Sequence, residues 1–575
     1  MKRFLRLFER STWIDAILLL VVSVLVIRSL LPLFPVGFPA THDGETHIAR
    51  MVNYAVALRQ GQFPPRFAPS FWNGFGYPVF NFHYPLLNIL GSPFVIIGLD
   101  PEVVFKVVIG LAWISLWIGT FVYVWQVTKE RTAGLMGVLL LLMGPYFYTL
   151  VYVRGSYGEL LACAAFVWAL FVIEWRSEKN KKIPFISSTL ILLTTAVLLA
   201  HNIYATLLFP SMLLYGVLKK PKYLSGVNVA TEFLIAFGLS AFFWIPSLLE
   251  KKYIIFDDLL NTLYLDHFNS LMQLVNSNVT FGISIAGTQD TLSLGIGATG
   301  VAVLGSAALY ILQKVFPERT KLLRSTSTLY IAVGLVCAAL FIFLQLPISK
   351  LLWQYLFILP YFQFPWRFLG PLTLVLAAVG GFLWHTKQRV VQILLLGGLI
   401  IHATVIPKWY WPSYSHFEPA YYFNYQLTST ILDELRPKTF SVEPWIVSSN
   451  TPEVQGSATV SDLKWRGTYR TYSITTSEPT IVVEPTMYFL GWKVWANGQP
   501  IDLLIPEKNP DAAQKYKGQV AFSLPAGTWQ IRSQMTQQTP ARLVGNSLSI
   551  ASSGILVWLL WNDIREKLRK NRSKI

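Results

Sequence analysis

Up to residue 406, apolar residues along this chain gather in runs of a helix-spanning length, separated by short polar stretches. A helix that rises 1.5 Å per residue needs about 20 apolar residues to cross a bilayer core. Runs of that kind cover 12–33, 103–126, 134–152, 158–175, 184–200, 203–218, 228–249, 293–314, 328–346, 366–384, 389–406 and 545–561. The shorter run Pro85–Gly98 starts with proline and contains Gly91-Ser92-Pro93, so it reads as a re-entrant or interfacial piece; if it crossed, it would be a thirteenth span. Between 407 and 544 the period falls to two. Thr468–Thr476, Thr480–Glu484, Trp492–Ala496 and Gln519–Leu524 read as strands, with Asn497-Gly498 as a two-residue hairpin turn. The pattern predicts an α-helical integral membrane protein of about 12–13 transmembrane helices. A C-terminal extracytoplasmic β-sandwich is expected before the last helix. The expected divisions are a transmembrane part at 1–406 with a first outer loop at 34–102, a β-rich domain at 407–544, and a final helix and basic tail at 545–575.

Charge sets the direction of the spans. The chain is 53% hydrophobic and only 13% charged, half the charge of a soluble domain. Its net charge of +17 would suggest nucleic acid in a soluble protein. Here the basic residues cluster between apolar runs, which excludes that partner. Clusters stand at Lys2–Arg10, Lys129/Arg131, Arg176–Lys182, Lys219–Lys222, Lys314–Arg324, Lys387/Arg389 and Arg565–Lys574. They alternate with connections poor in Lys and Arg. Basic loops stay in the cytoplasm, so both termini are expected there, in a multi-pass plasma-membrane protein whose first run is a retained anchor. The same parity leaves Pro85–Gly98 out of the crossing count. The two cysteines, Cys163 and Cys337, lie in apolar runs and make neither a disulfide framework nor a zinc site.

Ionisable groups at membrane depth are costly and mark candidate chemistry. The densest set follows the first span: Thr41-His42-Asp43-Gly44-Glu45-Thr46-His47-Ile48-Ala49-Arg50. His42, Asp43 and His47 are close enough in sequence to share a divalent cation (Mg or Mn) or a reacting hydroxyl; the plain alternative is a solvated helix cap. Gln62–Arg66, Asn73–Pro78 and Phe80–Pro85 are rich in aromatics, glycine and proline. They suit both an interfacial belt and a rigid wall around a carbohydrate or lipid headgroup. Arg367, at the outer mouth of a span, suits a bidentate clamp on a lipid phosphate; its alternative is a snorkelling interfacial arginine. Arg154 and Arg66 have similar claims. His201-Asn202 can line the cavity or bond a neighbouring helix. Asp266-His267 reads first as a solvated loop feature. No phosphate-cradling Gly-Lys loop occurs, which argues against nucleotide hydrolysis.

These pieces together resemble the bacterial multi-spanning proteins called 6-pyruvoyl-tetrahydropterin synthase-related, which are similar to GT-C glycosyltransferases and YfhO-like proteins. The resemblance rests on His42-Asp43-Gly44 with His47, Gly61-Gln62 with Pro65-Arg66, and Gly74-Phe75-Gly76-Tyr77-Pro78. It continues through Arg154-Gly155 with Glu159, His201-Asn202, Phe243-Trp244-Ile245-Pro246, Asp266-His267-Phe268, Gln363–Phe368, and Gly491-Trp492-Lys493 with Asn497-Gly498. It implies a GT-C-like fold and transfer of a sugar from a polyprenyl-phosphate carrier, at the outer membrane face, to a glycan or glycolipid acceptor. It implies catalytic roles for Asp43, Glu45 and Glu159, and substrate contacts from Arg66, His83, Arg154, His201 and Arg367. His42, Asp43 and His47 would form the metal site. The chain departs from the superfamily pattern where glycine follows Asp43 in place of a paired acid. Two other functions fit the same layout: a transporter or flippase for lipid-linked saccharide, and a non-catalytic envelope assembly protein. A transporter would call for charged or broken elements near the midplane, and few are present.

Overall fold

A computed structural model describes residues 13–179, 183–287, 290–315, 326–405, 410–428, 433–505 and 510–572. The chain is mostly helical, with a C-terminal β-sheet region. Six helices are long and apolar enough to cross a membrane: Trp13–Leu33, Pro101–Thr128, Tyr157–Ser177, Thr326–Gln345, Pro365–His385 and Pro540–Arg569. The count rises to eight if two bent pairs each make one span. Arg131–Met143 with Pro145–Arg154 bends by 53°, and Gly226–Leu239 with Ala241–Leu249 by 67°. The first break falls at Gly144-Pro145, where proline lacks the N–H that would continue the ladder. Shorter apolar helices cover Ile186–Ala200, Asn202–Leu218 and Arg389–Thr404. Gly297–Val315 is also helical. Outer helices present bare apolar side chains, among them Leu20, Ile27, Ile550 and Val557. Stripes of that size are stable only against lipid or another apolar partner.

Two sides of the molecule are distinguishable by their contacts. On one side Lys129 pairs with Glu178 at 2.7 Å, His385 with Glu130 at 2.7 Å, and Lys219 with Glu174 at 3.3 Å, and the Phe185 amide donates to Asp563 at 2.7 Å. The described members of several basic clusters therefore share one side. The other end of Pro101–Thr128 lies about 40 Å away at 1.5 Å per residue. There Glu102 accepts from the Tyr422 hydroxyl and the Phe417 amide, both at 2.8 Å. Strand β1 (Phe38–Pro39), after the first helix, pairs antiparallel with β2 (Tyr414–Ser415), after the helix that starts at Arg389.

The first loop folds into a helical hairpin on this second side. Gly44–Arg59 packs along Leu86–Ile96, and Gly91 admits the Met51 side chain. Leu86–Ile96 has only eleven residues. It starts beside Tyr84, near His201, and ends where the Ile96 carbonyl accepts from Arg59. Asp100 then caps Pro101–Thr128 through the Val103 amide at 2.9 Å. Both ends of Leu86–Ile96 thus lie on the same side as the β-sheets.

The sheet region begins at Glu453, well after the expected residue 407. Strands β3 (Glu453–Gln455), β6 (Thr480–Met487) and β9 (Gln519–Leu524) form one antiparallel sheet in the order β3-β6-β9. The second sheet has the order β4-β5-β10-β7-β8, from Ala458–Arg466, Tyr469–Thr476, Gly527–Met535, Trp492–Ala496 and Gln499–Ile501. Ala496 pairs with Gln499, and Asn497 and Gly498 have φ of 47° and 80°. This is the two-residue turn with both central residues left-handed that the Asn-Gly pair favours. Val482, Phe522, Ile474, Val494 and Ile531 from the two sheets join one apolar core. Glu484 is buried within it and accepts from Arg470, Tyr472 and Ser533, each at 2.8 Å. The last helix begins at Pro540 and runs to Arg572.

The β domain is seated on the first loop. Glu250 accepts from Asn81 at 2.9 Å, Thr539 at 2.5 Å, and Arg542 at 3.0 Å. Phe67 meets Trp492 edge-on at 5.6 Å. Segments 410–428 and 433–448 run across the loop before the sheets start. The Gln426 carbonyl accepts from the Asn73 amide at 2.7 Å, and the Asn73 carbonyl from the Ser448 amide at 2.9 Å.

Candidate functional site

The site is built where the first loop meets the break after Arg154. Gly155 takes φ of +75°, and a Cβ there would stand 2.4 Å from Thr41 Oγ1. Glycine therefore lets the loop approach. The His42 and Asp43 amides donate to the carbonyls of Val153 and Arg154 at 2.9 and 3.2 Å. Asp43 occupies the N-cap position of Gly44–Arg59, yet its side chain makes no capping bond. Thr41 Oγ1 accepts from the Gly44 amide instead, at 3.0 Å. The ordinary work of an N-cap aspartate passes to its neighbour. Among the described residues, the Asp43 carboxylate accepts no hydrogen bond. It lines a cavity of about 340 Å³ with His42, Thr46, Trp72, Asn73, Tyr425, Asp433 and their neighbours.

Behind Asp43 lies a buried cationic cluster. Glu159, in the first turn of Tyr157–Ser177, accepts from both Arg154 terminal nitrogens at 3.1 and 2.9 Å and from Tyr146 at 3.3 Å. Arg367 Nε stands 3.7 Å from Glu159 Oε1. His201 Nδ1 accepts from the Tyr204 amide at 3.3 Å, which leaves its Nε2–H toward Glu159 at 4.0 Å. The Arg154 guanidinium lies 4.4 Å above the Trp366 ring, and the Arg367 carbonyl accepts from Tyr204 at 2.9 Å. Arg50 donates to His83 Nε2, and the His47 ring meets His83 and Tyr157 at 5.6 and 5.5 Å. Burial, then the charge of Arg50, holds His47 and His83 well below the usual histidine range, so both are neutral at pH 7. Three guanidiniums therefore face two carboxylates, Asp43 and Glu159. Burial raises the Asp43 carboxyl, while Arg50, Arg154, His42 and Arg367 oppose that rise. Nδ1 of His47, Nδ1 of His83 and Nε of Arg367 have no hydrogen-bond partner.

The structure thus joins Asp43, His47, His83, Arg154, Glu159, His201 and Arg367 in one place, keeps His42 at the cavity wall beside Asp43, and sets two expected residues, Arg66 and Glu45, apart. Arg66 donates to Gln537 at 3.0 Å and Asn546 at 3.1 Å, at the seat of the β domain; its partners lie far along the chain, beyond the reach of local pattern. Glu45 accepts from the Tyr421 hydroxyl at 2.5 Å and does not line the cavity. His42 is exposed and packs on Phe281 at 5.2 Å. His47 turns inward while His42 faces outward, so the expected metal trio does not converge. Among the described residues no three His, Cys, Asp or Glu side chains are placed to hold a metal ion. His267 bonds Ser284 at 2.8 Å, and Trp366 donates to the same hydroxyl at 3.1 Å.

Sequence reasoning named Arg50 in the first-loop cluster without giving it a role, and missed Tyr146, Trp72 and Asp433. Arg50 had a usable signal: positions 43, 47 and 50 stand at i, i+4 and i+7, on one helix face. Asp433 had none, because it reaches the cavity only through tertiary contact.

No protein-family model matches this chain. It is 28% identical over 247 residues to an uncharacterized protein of Lactococcus lactis subsp. cremoris (strain MG1363). The match covers 40% of this chain and 39% of that protein.

Proposed function

We propose that the protein is a membrane glycosyltransferase, which moves a sugar from a polyprenyl-phosphate-linked donor to a glycan or glycolipid acceptor of the cell envelope. The observation that carries this reading is the Asp43 carboxylate, left unbonded at a cavity wall with three guanidiniums behind it. The fold belongs to the GT-C-like arrangement, and the resemblance to 6-pyruvoyl-tetrahydropterin synthase-related and YfhO-like proteins is part of the same reading. The side that carries the β domain faces outward from the plasma membrane, and the basic clusters and both termini are cytoplasmic, with 12 spans.

In this mechanism Asp43 takes the proton of an acceptor hydroxyl. The freed oxygen bonds to the anomeric carbon, and the bond from that carbon to the carrier phosphate breaks. The phosphate leaves with its electron pair; Arg154 stabilises its charge, and Arg367 holds the donor by its phosphate. Burial raises the Asp43 carboxyl, and a carboxylate with a raised pKa is a stronger base than an ordinary one. The expected Mg or Mn site does not fit His42, Asp43 and His47 as placed, and no step is routed through a metal.

The test is incubation of the purified protein with radiolabelled polyprenyl-phosphate sugars and membrane extract, beside Asp43→Asn. Transfer should fall by about 10²–10⁴-fold in the variant, the usual weight of a general base. Full activity in Asp43→Asn would move the site elsewhere. Donor carried across vesicles without turnover would favour the transporter reading. The orientation has its own test. In a cysteine-free background, Asp100→Cys and Thr475→Cys should both label from outside; labelling of Asp100→Cys only after permeabilisation would make Leu86–Ile96 a crossing segment.

A further inference from the structure

Between the helices Thr326–Gln345 and Pro365–His385 the chain runs along the β-domain side. A 3₁₀ turn, Pro347–Ser349, leads into the short helix Lys350–Tyr355. The inward face of this piece is pinned. Ser349 donates to the Leu344 and Leu346 carbonyls at 3.2 and 2.9 Å, and the Trp353 indole donates to Leu344 at 3.0 Å. The Trp353 ring stacks on Tyr264 at 5.3 Å and meets Phe268 at 5.8 Å. The outward face carries Ile348, Leu351 and Tyr355, at i, i+3 and i+7, and Phe357 follows them. These four side chains are between 67% and 82% exposed. Apolar groups so bare and so close in sequence are rarely left to water. They also extend a lipid-facing stripe: Val333, Val336, Leu340 and Phe343 stand bare along Thr326–Gln345, and Ile348 comes three residues after that helix ends. Lys350 is exposed at the start of the short helix, where a snorkelling ammonium reaches headgroup phosphate. One pinned face, one bare apolar face and a flanking cation make an element that lies in the membrane interface.

The far end of this strap rests on Arg367. Leu359 and Phe362 turn inward, Phe362 stacks on Phe368 at 4.7 Å, and Lys251 donates to the Tyr361 hydroxyl at 2.9 Å. The Phe364 amide then donates back to the Phe362 carbonyl at 2.7 Å across Gln363, whose φ is 65° and ψ −45°. This is the γ-turn with positive φ, the rare and strained form. Such strain persists only where the surroundings hold it. Arg367 is part of what holds it, because its Nη1 donates to the same Phe362 carbonyl at 3.3 Å. Among the described residues that carbonyl is the one hydrogen-bond acceptor of the Arg367 guanidinium, and Nε has none. A phosphate offers two parallel charge-assisted bonds to a guanidinium. It therefore competes well against one long bond to a carbonyl, and its arrival frees a turn that is already strained.

We infer that Ile348, Leu351, Tyr355 and Phe357 dock in the membrane leaflet on the β-domain side, and that a lipid-borne phosphate enters from that leaflet beside the strap and takes Arg367 from the Phe362 carbonyl. The docking stands apart from the transferase reading; the route rests on that reading, which puts a carrier phosphate at Arg367. The docking is tested on the full-length protein, cysteine-free, in phosphatidylcholine vesicles. An environment-sensitive fluorophore on Phe357→Cys should emit as in an apolar medium and be quenched by spin-labelled acyl chains. The same probe on Thr475→Cys, in the β domain, should be quenched by aqueous iodide alone. Iodide quenching at 357 without acyl-chain quenching would overturn the docking. So would a disulfide between two copies through Phe357→Cys, which would make a second copy the covering partner. The route is read by native mass spectrometry of the protein released from nanodiscs that contain a long-chain polyprenyl phosphate. Retained polyprenyl phosphate should fall about tenfold in Phe357→Glu, the weight of one apolar anchor, with thermal unfolding in detergent unchanged. It should fall about tenfold in Arg367→Gln, which loses a charge-assisted bond. Equal retention by the parent and both variants, or none by the parent, would overturn the route. A parent protein that retains the lipid and transfers no sugar would end the transferase reading and leave the strap and the route standing.

Discussion

Two carboxylates on the same side of this molecule, Asp43 and Glu250, live in opposite circumstances. Glu250 accepts from Asn81, Thr539 and both Nε and Nη2 of Arg542, so its oxygens are occupied by protein donors. It ties the first loop to the last helix, and nothing is left over for a ligand. Asp43 stands at a helix start where capping was open to it, and Thr41 caps instead. Around Asp43 the histidine Nδ1 atoms and Arg367 Nε are also unpartnered. Buried polar groups in proteins are nearly always paired. Among the described residues, the Asp43 carboxylate meets a cavity with no protein donor on it, which marks the place where an incoming molecule completes the bonding. Burial and charge alone would have ranked Glu250 and Arg66 beside Asp43; the pairing separates them.

The comparison breaks most sharply by exchanging the effects. Asp43→Asn should cost about 10²–10⁴-fold in transfer rate and leave thermal unfolding in detergent unchanged. Glu250→Gln should do the reverse. It leaves Arg542 buried without its counter-charge, at about 3–5 kcal/mol of stability, while transfer per folded molecule persists. If Glu250→Gln lost turnover and kept its stability, the two carboxylates would have to trade roles.

A smaller effect is expected at Arg367, whose Nε has only a distant approach to Glu159. Arg367→Lys keeps the charge and loses the planar fork. It should raise the KM for the donor about tenfold, the value of one charge-assisted bond, with kcat nearly unchanged. An equal fall of kcat at constant KM would instead place Arg367 at the reacting centre.

The pH profile sharpens the contrast further. Burial raises the Asp43 carboxyl, and a base works only when ionised, so transfer should rise with pH through a value above the ordinary carboxylate range. Arg50 opposes that rise in pKa. Arg50→Gln should therefore move the rising limb to higher pH, read from kcat/KM against pH. A shift to lower pH would exclude Asp43 as the titrating group. The smallest expected effect is at Gly155. Gly155→Ala forces a side chain into φ +75° and against Thr41, at about 1–2 kcal/mol of stability. A loss of transfer beyond the loss of folded protein would show that the Thr41–Asp43 approach is tuned by this contact.

Much of the architecture was legible in the chain itself. Apolar run length set the helices, because lipid tolerates no unpaired backbone and a helix pairs its own. Most helix limits fall within a few residues of those read from hydropathy. The Asn497-Gly498 turn follows from local sterics alone, and the strands Trp492–Ala496 and Gln519–Leu524 match the alternating pattern. The strand Ala458–Arg466 escaped notice because a bulge between Ser461 and Lys464 shifts its alternation, and Gly527–Met535 because Ser533 stands in its inward row with Trp529, Ile531 and Met535. The last helix also starts before its apolar run, since its first turn is held by the β domain through Arg542.

Residue type determined which groups could do chemistry, and the basic clusters determined which connections share a side. Tertiary structure decided everything that depends on partners distant in sequence. Asp43, Glu159, His201 and Arg367 were each suspect individually, but only the packing of four separate segments brings them together. Arg66 has the same guanidinium as Arg367, yet its partners are Gln537 and Asn546. Glu45 lies two residues from Asp43 and is claimed by Tyr421, 376 positions away. Local pattern records what a residue can do within a turn or two of its own backbone. Which donor reaches a given carboxylate, and which carboxylate is left without one, is settled only when distant segments close over each other.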